Sequence, residues 1–296
     1  MEFFTERFKR WLPDSFIFAL ILTLVAAIWA LFAVDVGPVK IAEAWYQGFW
    51  SLLAFAMQMV LILVTGYAIA ISPIATRFID WLAARINKPV AVYATIVIAG
   101  QIFAMISWGW IVLTAVLARE LGMRVKGVDY RLTAAAVYAN FLPWHGGLSG
   151  SIPLVINTQE NFLIKAGVLS EIIPTTLTLG SVMNIGVCLA LLITLPILFM
   201  LMRPAEENIQ TFDDLREGDA PAKTLSVEEE AANLSLSDRC LSEMLNSSLI
   251  INLLILLMGL YIIVSHFASK GFDLNLNIMN FIFIILGMLA HKTPIR

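Results

Sequence analysis

An all-α, multi-pass membrane fold is predicted by three observations. The 296 residues are 59% hydrophobic and only 14% charged, with a mean hydropathy of +0.84. A soluble chain carries nearer a quarter charged residues. Long uncharged runs recur at Phe16–Val34, Phe49–Ile71, Ile172–Met202 and Leu249–Val264. A helix needs roughly 20 apolar residues to cross a hydrocarbon core of about 30 Å. Finally, Lys and Arg are sorted between the connecting segments as cytoplasmic and external loops require.

Residues 1–12 place Phe4, Phe8, Trp11 and Leu12 on one helical face beside Arg7, Lys9 and Arg10. That pattern predicts an interfacial helix lying on the membrane. No small-residue cleavage site follows, so the first run reads as a span rather than a leader. Cys188 falls in an apolar run and Cys240 in a polar loop, so no disulfide is expected.

The stretch Val90–Ala118 is 29 uncharged residues long, or about 43 Å of helix. It is interrupted by "SWGW" at Ser107–Trp110. Arg77, Arg85 and Lys88 precede it, and Arg119, Arg124, Lys126 and Arg131 follow it. Both flanks therefore read as cytoplasmic, which a re-entrant hairpin over 90–118 satisfies. One long tilted span is the alternative. With the hairpin, only Lys40, Lys165 and Lys270 of the 19 basic residues fall outside. The N-terminus is then cytoplasmic.

The run Leu132–Ile156 contains "LPWHGGLSGSIP". Pro143 and Pro153 remove backbone donors, and Gly146, Gly147 and Gly150 admit conformations closed to other residues. A broken helix over 132–156 is predicted, with an unwound centre between two half-helices. Transporters use such breaks to present backbone dipoles to ions. A packing kink or an external loop would carry the same residues. His145 is the one histidine inside a predicted span. It could relay protons or help to hold a carboxylate, and a histidine tied to a carbonyl is the plain alternative.

No Asp, Glu, Lys or Arg lies inside the predicted spans. That absence favours a small monovalent anion with an apolar body, which Trp108, Trp110 and Trp144 could hold. Interfacial anchoring serves equally for each tryptophan taken singly. Thr175, Thr178, Ser181 and Asn184 recur every three residues and suggest a polar ladder, for a pathway or for helix–helix bonding. Residues 203–248 form an acidic linker in which "SVEEE" could cap a surface helix. No metal cluster, phosphate loop or nucleic-acid patch is present in the sequence, and no cofactor is expected. The coupling ion, H⁺ or Na⁺, is not identified. "GLSG" at Gly147–Gly150 matches the nucleophile motif of rhomboid-type intramembrane proteases, with His266 as the candidate base. An intramembrane serine hydrolase is thus the alternative from another class, and a small-anion channel the alternative within transport.

Three runs, "PDSFIFALILTL", "FWSLLAFAMQMVLILVTGYAIA" and "NFLPWHGGLSGSIPL", resemble the bacterial short-chain fatty acid transporter family. The likeness extends from about Phe8 to Arg296. That family is placed in a broad ion transporter superfamily, whose members of known architecture have two inverted repeats, each with a hairpin and a broken helix. The resemblance implies uptake of butyrate or acetoacetate across the bacterial inner membrane. It assigns no residues. The breaks supply the candidate substrate site: Ser107, Trp108, Gly109, His145, Gly146, Gly147, Ser149, Gly150 and Ser151.

About six spans are expected, arranged as an N-terminal helix (1–12), a first repeat (13–202), a linker (203–248) and a connecting span that opens a second repeat (249–296). Family members continue past "AHKTPIR", where this sequence stops, so it reads as truncated after the first repeat, with the second hairpin and second broken helix missing. The implied partners are a short monocarboxylate and the lipid bilayer, with a homo-oligomer compatible and nucleic acid excluded.

Overall fold

Short polar caps and prolines open most of the helices. In the computed structural model, which describes residues 13–34, 36–212, 214, 241–246 and 248–291, Asp14 caps α1 (Ser15–Ala33) by accepting from the Phe16 N–H at 2.8 Å. Pro38 starts α2 (Pro38–Ser51), and α3 (Leu53–Ala70) follows. Ser72 caps α4 (Pro73–Ala83) and Pro89 starts α5 (Pro89–Ile106). Then come α6 (Ile111–Arg124), α7 (Tyr130–Ala139) and the short α8 (Ser151–Ile156). The long α9 (Val182–Leu201), α10 (Leu249–Lys270) and α11 (Leu276–Ala290) complete the order. No strand occurs among the described residues. The interfacial helix and the "SVEEE" helix expected from the sequence lie outside them.

The chain divides into two compact units, Met1–Ala54 and Phe55–Arg296. In the first, no residue of α1 is buried, and its surface is apolar all round, as a lipid-facing helix requires. The second unit carries two apolar cores. One joins α4, α5, α6, α7 and α9 through Ile96, Val97, Leu117, Leu121 and Phe199. The other joins α3, α8 and α11 through Ile62, Leu154, Leu276 and Phe283.

Five segments are long and apolar enough to cross a membrane: Ser15–Ala33, Pro38–Ala70, Pro89–Ile106, Val182–Leu201 and Leu249–Lys270. These five among the described residues stand beside the sequence reading of about six spans, and they include Pro89–Ile106, which that reading counts as one arm of the hairpin. Helix α11 has only 15 residues, about 22 Å of rise. The run Ile172–Met202 is also shorter as a helix than its composition suggests. Pro174 opens a single helical turn, and α9 begins only at Val182, where Ser181 caps it by accepting from the Asn184 N–H. Thr175, Thr178 and Ser181 therefore form no ladder along a helix face. Their three-residue spacing is that of tight turns, with Ser181 donating to the Thr178 carbonyl at 2.8 Å.

Helix α5 does not run on into α6. Ser107 is extended (φ −149°, ψ 126°), and the turn Trp108–Trp110 reverses the chain so that α5 and α6 pack along each other. Gly100 permits this. A Cβ there would meet Thr114 Cγ2 of α6 at 2.6 Å and the Asn140 amide at the end of α7. Over 132–156 the chain forms the rest of α7, a bent stretch Asn140–Gly150, and α8. That stretch is not open coil. Phe141, Trp144, Gly146, Gly147 and Gly150 each donate an N–H to the carbonyl three residues back, at 2.9–3.2 Å. Buried backbone without a helix must satisfy its polar groups some other way, and tight turns do so here.

Candidate functional site

The two breaks touch. The Leu148 N–H donates to the Met105 carbonyl at 2.6 Å, and the Trp108 N–H donates to Ser149 Oγ at 3.1 Å. Gly147 makes this approach possible, because a Cβ would fall on the Met105 backbone, 2.7 Å from its carbonyl carbon. Ser149 is fully buried, as is Ser107. Gly109 is buried against α3, its Cβ position 3.2 Å from the Leu63 carbonyl oxygen. Trp108 and Trp110 both pack on the second core, and Trp110 also on the first, so the breaks sit where the cores meet.

The rest of the predicted set is placed less uniformly. Gly150 and Ser151 are buried where α8 begins. Gly146 lies against α9, where Asn184 Nδ2 donates to its carbonyl at 3.0 Å. His145 is exposed, its ring centroid 4.1 Å from that of Trp144 with the planes tilted by 31°. It makes no ring hydrogen bond among the described residues and does not enter the contact between the breaks.

Four buried donors at the breaks have no hydrogen-bond partner among the described residues: the Ser107 hydroxyl and the indole N–H groups of Trp108, Trp110 and Trp144. The Trp108 and Trp144 rings lie side by side, 5.6 Å between centroids. Buried donors are rarely left unpaired, so these four call for partners that the described residues do not supply. None of the four belongs to a charged side chain. Composition assigns these rings an apolar role. Their N–H groups become visible only once their surroundings are known.

Residues outside the predicted set hold the site in place. Asn157, at the end of α8, donates to the Leu274 carbonyl at 2.9 Å, and Thr158 Oγ1 accepts from the Leu276 N–H at 3.1 Å. These bonds pin the second half-helix to the start of α11. "INT" carries no signal in sequence that distinguishes it from a helix end. No metal-holding group of His, Cys, Asp and Glu occurs among the described residues. His266 bonds Asp273, not Ser149. A hydrolytic serine would need its base within hydrogen-bond reach.

The sequence matches the Short chain fatty acid transporter family over residues 1–296. The chain belongs to that family. It is 36% identical over 294 residues to a protein of Escherichia coli (strain K12), and 34% identical over 298 residues to one of Haemophilus influenzae (strain Rd). Each of these is by name a candidate short-chain fatty acid transporter. Both alignments cover 99% of this chain but only 64% and 65% of the relatives. This family member thus spans slightly less than two thirds of their length. No solved structure matches it.

Proposed function

We propose that this chain carries part of a secondary transporter for short-chain monocarboxylates, with the substrate held where the two breaks meet. The observation that carries the reading is the group of four unpartnered donors at Ser107, Trp108, Trp110 and Trp144. A carboxylate supplies acceptors for such donors, and the indole faces suit a short alkyl tail. Gly146, Gly147 and Gly150 keep the backbone narrow there, and Ser149 fixes one break to the other. In this reading α5 and α6 form a re-entrant hairpin, α7 and α8 the two halves of a broken helix, and the segment up to residue 202 one repeat of an inverted pair. The N-terminus faces the cytoplasm of a bacterial cell, and the protein lies in the inner membrane. The names of the two relatives and the absence of charged side chains in the breaks support the substrate class.

The test is uptake of radiolabelled butyrate by cells expressing the protein. Ser149→Ala removes the acceptor of the Trp108 N–H, and leaving that amide unpaired costs about 1–3 kcal/mol. Uptake is expected to fall about tenfold or more with expression unchanged. Wild-type kinetics in this variant would refute the site, and flux that never saturates would point to a channel.

A further inference from the structure

A second polar cavity lies away from the breaks, between the end of α8, the end of α10 and the start of α11. Its volume is about 350 Å³. Three titratable side chains line it: His266 and Lys270 on α10, and Asp273 in the turn that follows. None comes from the other elements that face it. Those contribute amides, chiefly Asn157, Asn275 and Asn277, and apolar groups such as Ile172 and Phe281. On the charge count this is the external face.

The groups form one bonded unit. Asn157 Nδ2 donates to Asp273 Oδ1 at 2.7 Å, and Asn275 Nδ2 to Asp273 Oδ2 at 3.4 Å. His266 Nε2 lies 2.8 Å from the Asp273 carbonyl oxygen and 3.6 Å from its Oδ2. A carbonyl can only accept, so Nε2 carries a proton and donates. The nitrogen that gains a second proton is then Nδ1. The pair is largely shielded, with 15% of the His266 side chain and 25% of the Asp273 side chain exposed.

Counting charge gives the property of the site. With His266 neutral, Lys270 and Asp273 cancel. With His266 protonated, the cavity carries one net positive charge. A carboxylate entering the neutral cavity leaves an uncompensated negative charge in a shielded place, which is costly. One entering the protonated cavity is balanced. Proton and carboxylate therefore favour each other, by equal factors.

We propose that this cavity is an outer binding site for a short monocarboxylate that takes up its anion together with one proton, drawn from external water onto His266 Nδ1. The proposal rests on the monocarboxylate reading above but uses none of the residues at the breaks. It gives the transporter a way to gather the anion and a proton as a pair.

The experiment measures the half-saturating butyrate concentration for uptake from pH 6 to 8, with the same pH on both sides of the membrane and cells lacking the protein as background. For the wild type it is expected to rise with pH toward a limiting slope of about tenfold per unit, the slope of a one-proton linkage. His266→Gln is expected to be flat, at the wild-type alkaline value. Asp273→Asn leaves Lys270 unbalanced, so high affinity is expected to persist to pH 8. Lys270→Gln is expected to weaken binding at every pH while keeping the slope. Because Lys270 is exposed and Asp273→Asn retains an acceptor for Asn157, these two variants decide the matter if His266→Gln does not fold. A wild-type slope in Asp273→Asn, or a flat wild type with normal uptake, overturns the outer site alone. Absence of uptake by the wild type at every pH overturns the transport reading and the outer site with it.

Discussion

Gly147→Ala is expected to abolish butyrate uptake and to lower the thermal unfolding midpoint. The new Cβ would fall on the Met105 backbone, at the last turn of α5. Neither side can yield cheaply, because both partners are main chain and α5 is buried on several faces. Overpacking costs about 1–3 kcal/mol. Prising the breaks apart also loses the Leu148–Met105 and Trp108–Ser149 hydrogen bonds, each worth about 1 kcal/mol net. A displacement of about 1 Å at a site of positioned donors lowers turnover by roughly 100-fold. Gly186→Ala in α9 is the control. Nothing lies within 4 Å of its Cβ position, and replacing a helical glycine gains about 0.5–1 kcal/mol. Equal uptake by the two variants would show that the breaks need not touch.

Asp129→Ala has the second largest expected effect, this time on stability. Asp129 is 2% exposed and serves two segments at once. Its Oδ1 caps α7 by accepting from the Leu132 N–H at 2.8 Å, and its Oδ2 accepts from the Gln210 N–H at 2.9 Å. The segment after α9 is thereby docked, with the Tyr130 N–H donating to the Gln210 carbonyl, Arg131 donating to the Asn208 carbonyl, and Phe212 edge-on to Tyr130. Loss of an N-cap costs about 1 kcal/mol, and the orphaned Gln210 amide about 1–3 kcal/mol more. The segment is expected to open locally before the helices unfold. Faster Glu-C cleavage after the exposed Glu206 or Glu207, with a lower unfolding midpoint, would register both effects. Asp129→Asn keeps one acceptor and is expected to lose about half as much. Wild-type proteolysis in Asp129→Ala would mean the docking is held elsewhere.

Much of this architecture is legible without coordinates because membrane helices announce themselves by length and apolarity. The interruptions at "SWGW" and "LPWHGGLSGSIP" are equally plain, since glycine and proline act on the backbone locally. What they do in three dimensions is less so. The turns through 140–150 satisfy their own amides, a detail that Pro and Gly positions do not specify. His145 is exposed although its neighbours in sequence are apolar, because a tight turn rather than a helix sets its direction. The start of α9 is hidden by composition. Ile172–Ser181 is apolar enough to join the span, and only the Pro174 and Ser181 geometry separates it. Asn157, Thr158 and Asp129 act across more than 70 residues of chain. Such pairings leave no local trace.

The bonds between the two breaks also bear on how the molecule moves. Hydrogen bonds from the Leu148 N–H to the Met105 carbonyl and from the Trp108 N–H to the Ser149 hydroxyl join the hairpin bend to the helix bend. Parting the two bends would cost both bonds, roughly 2 kcal/mol net, so a small displacement of one draws the other along.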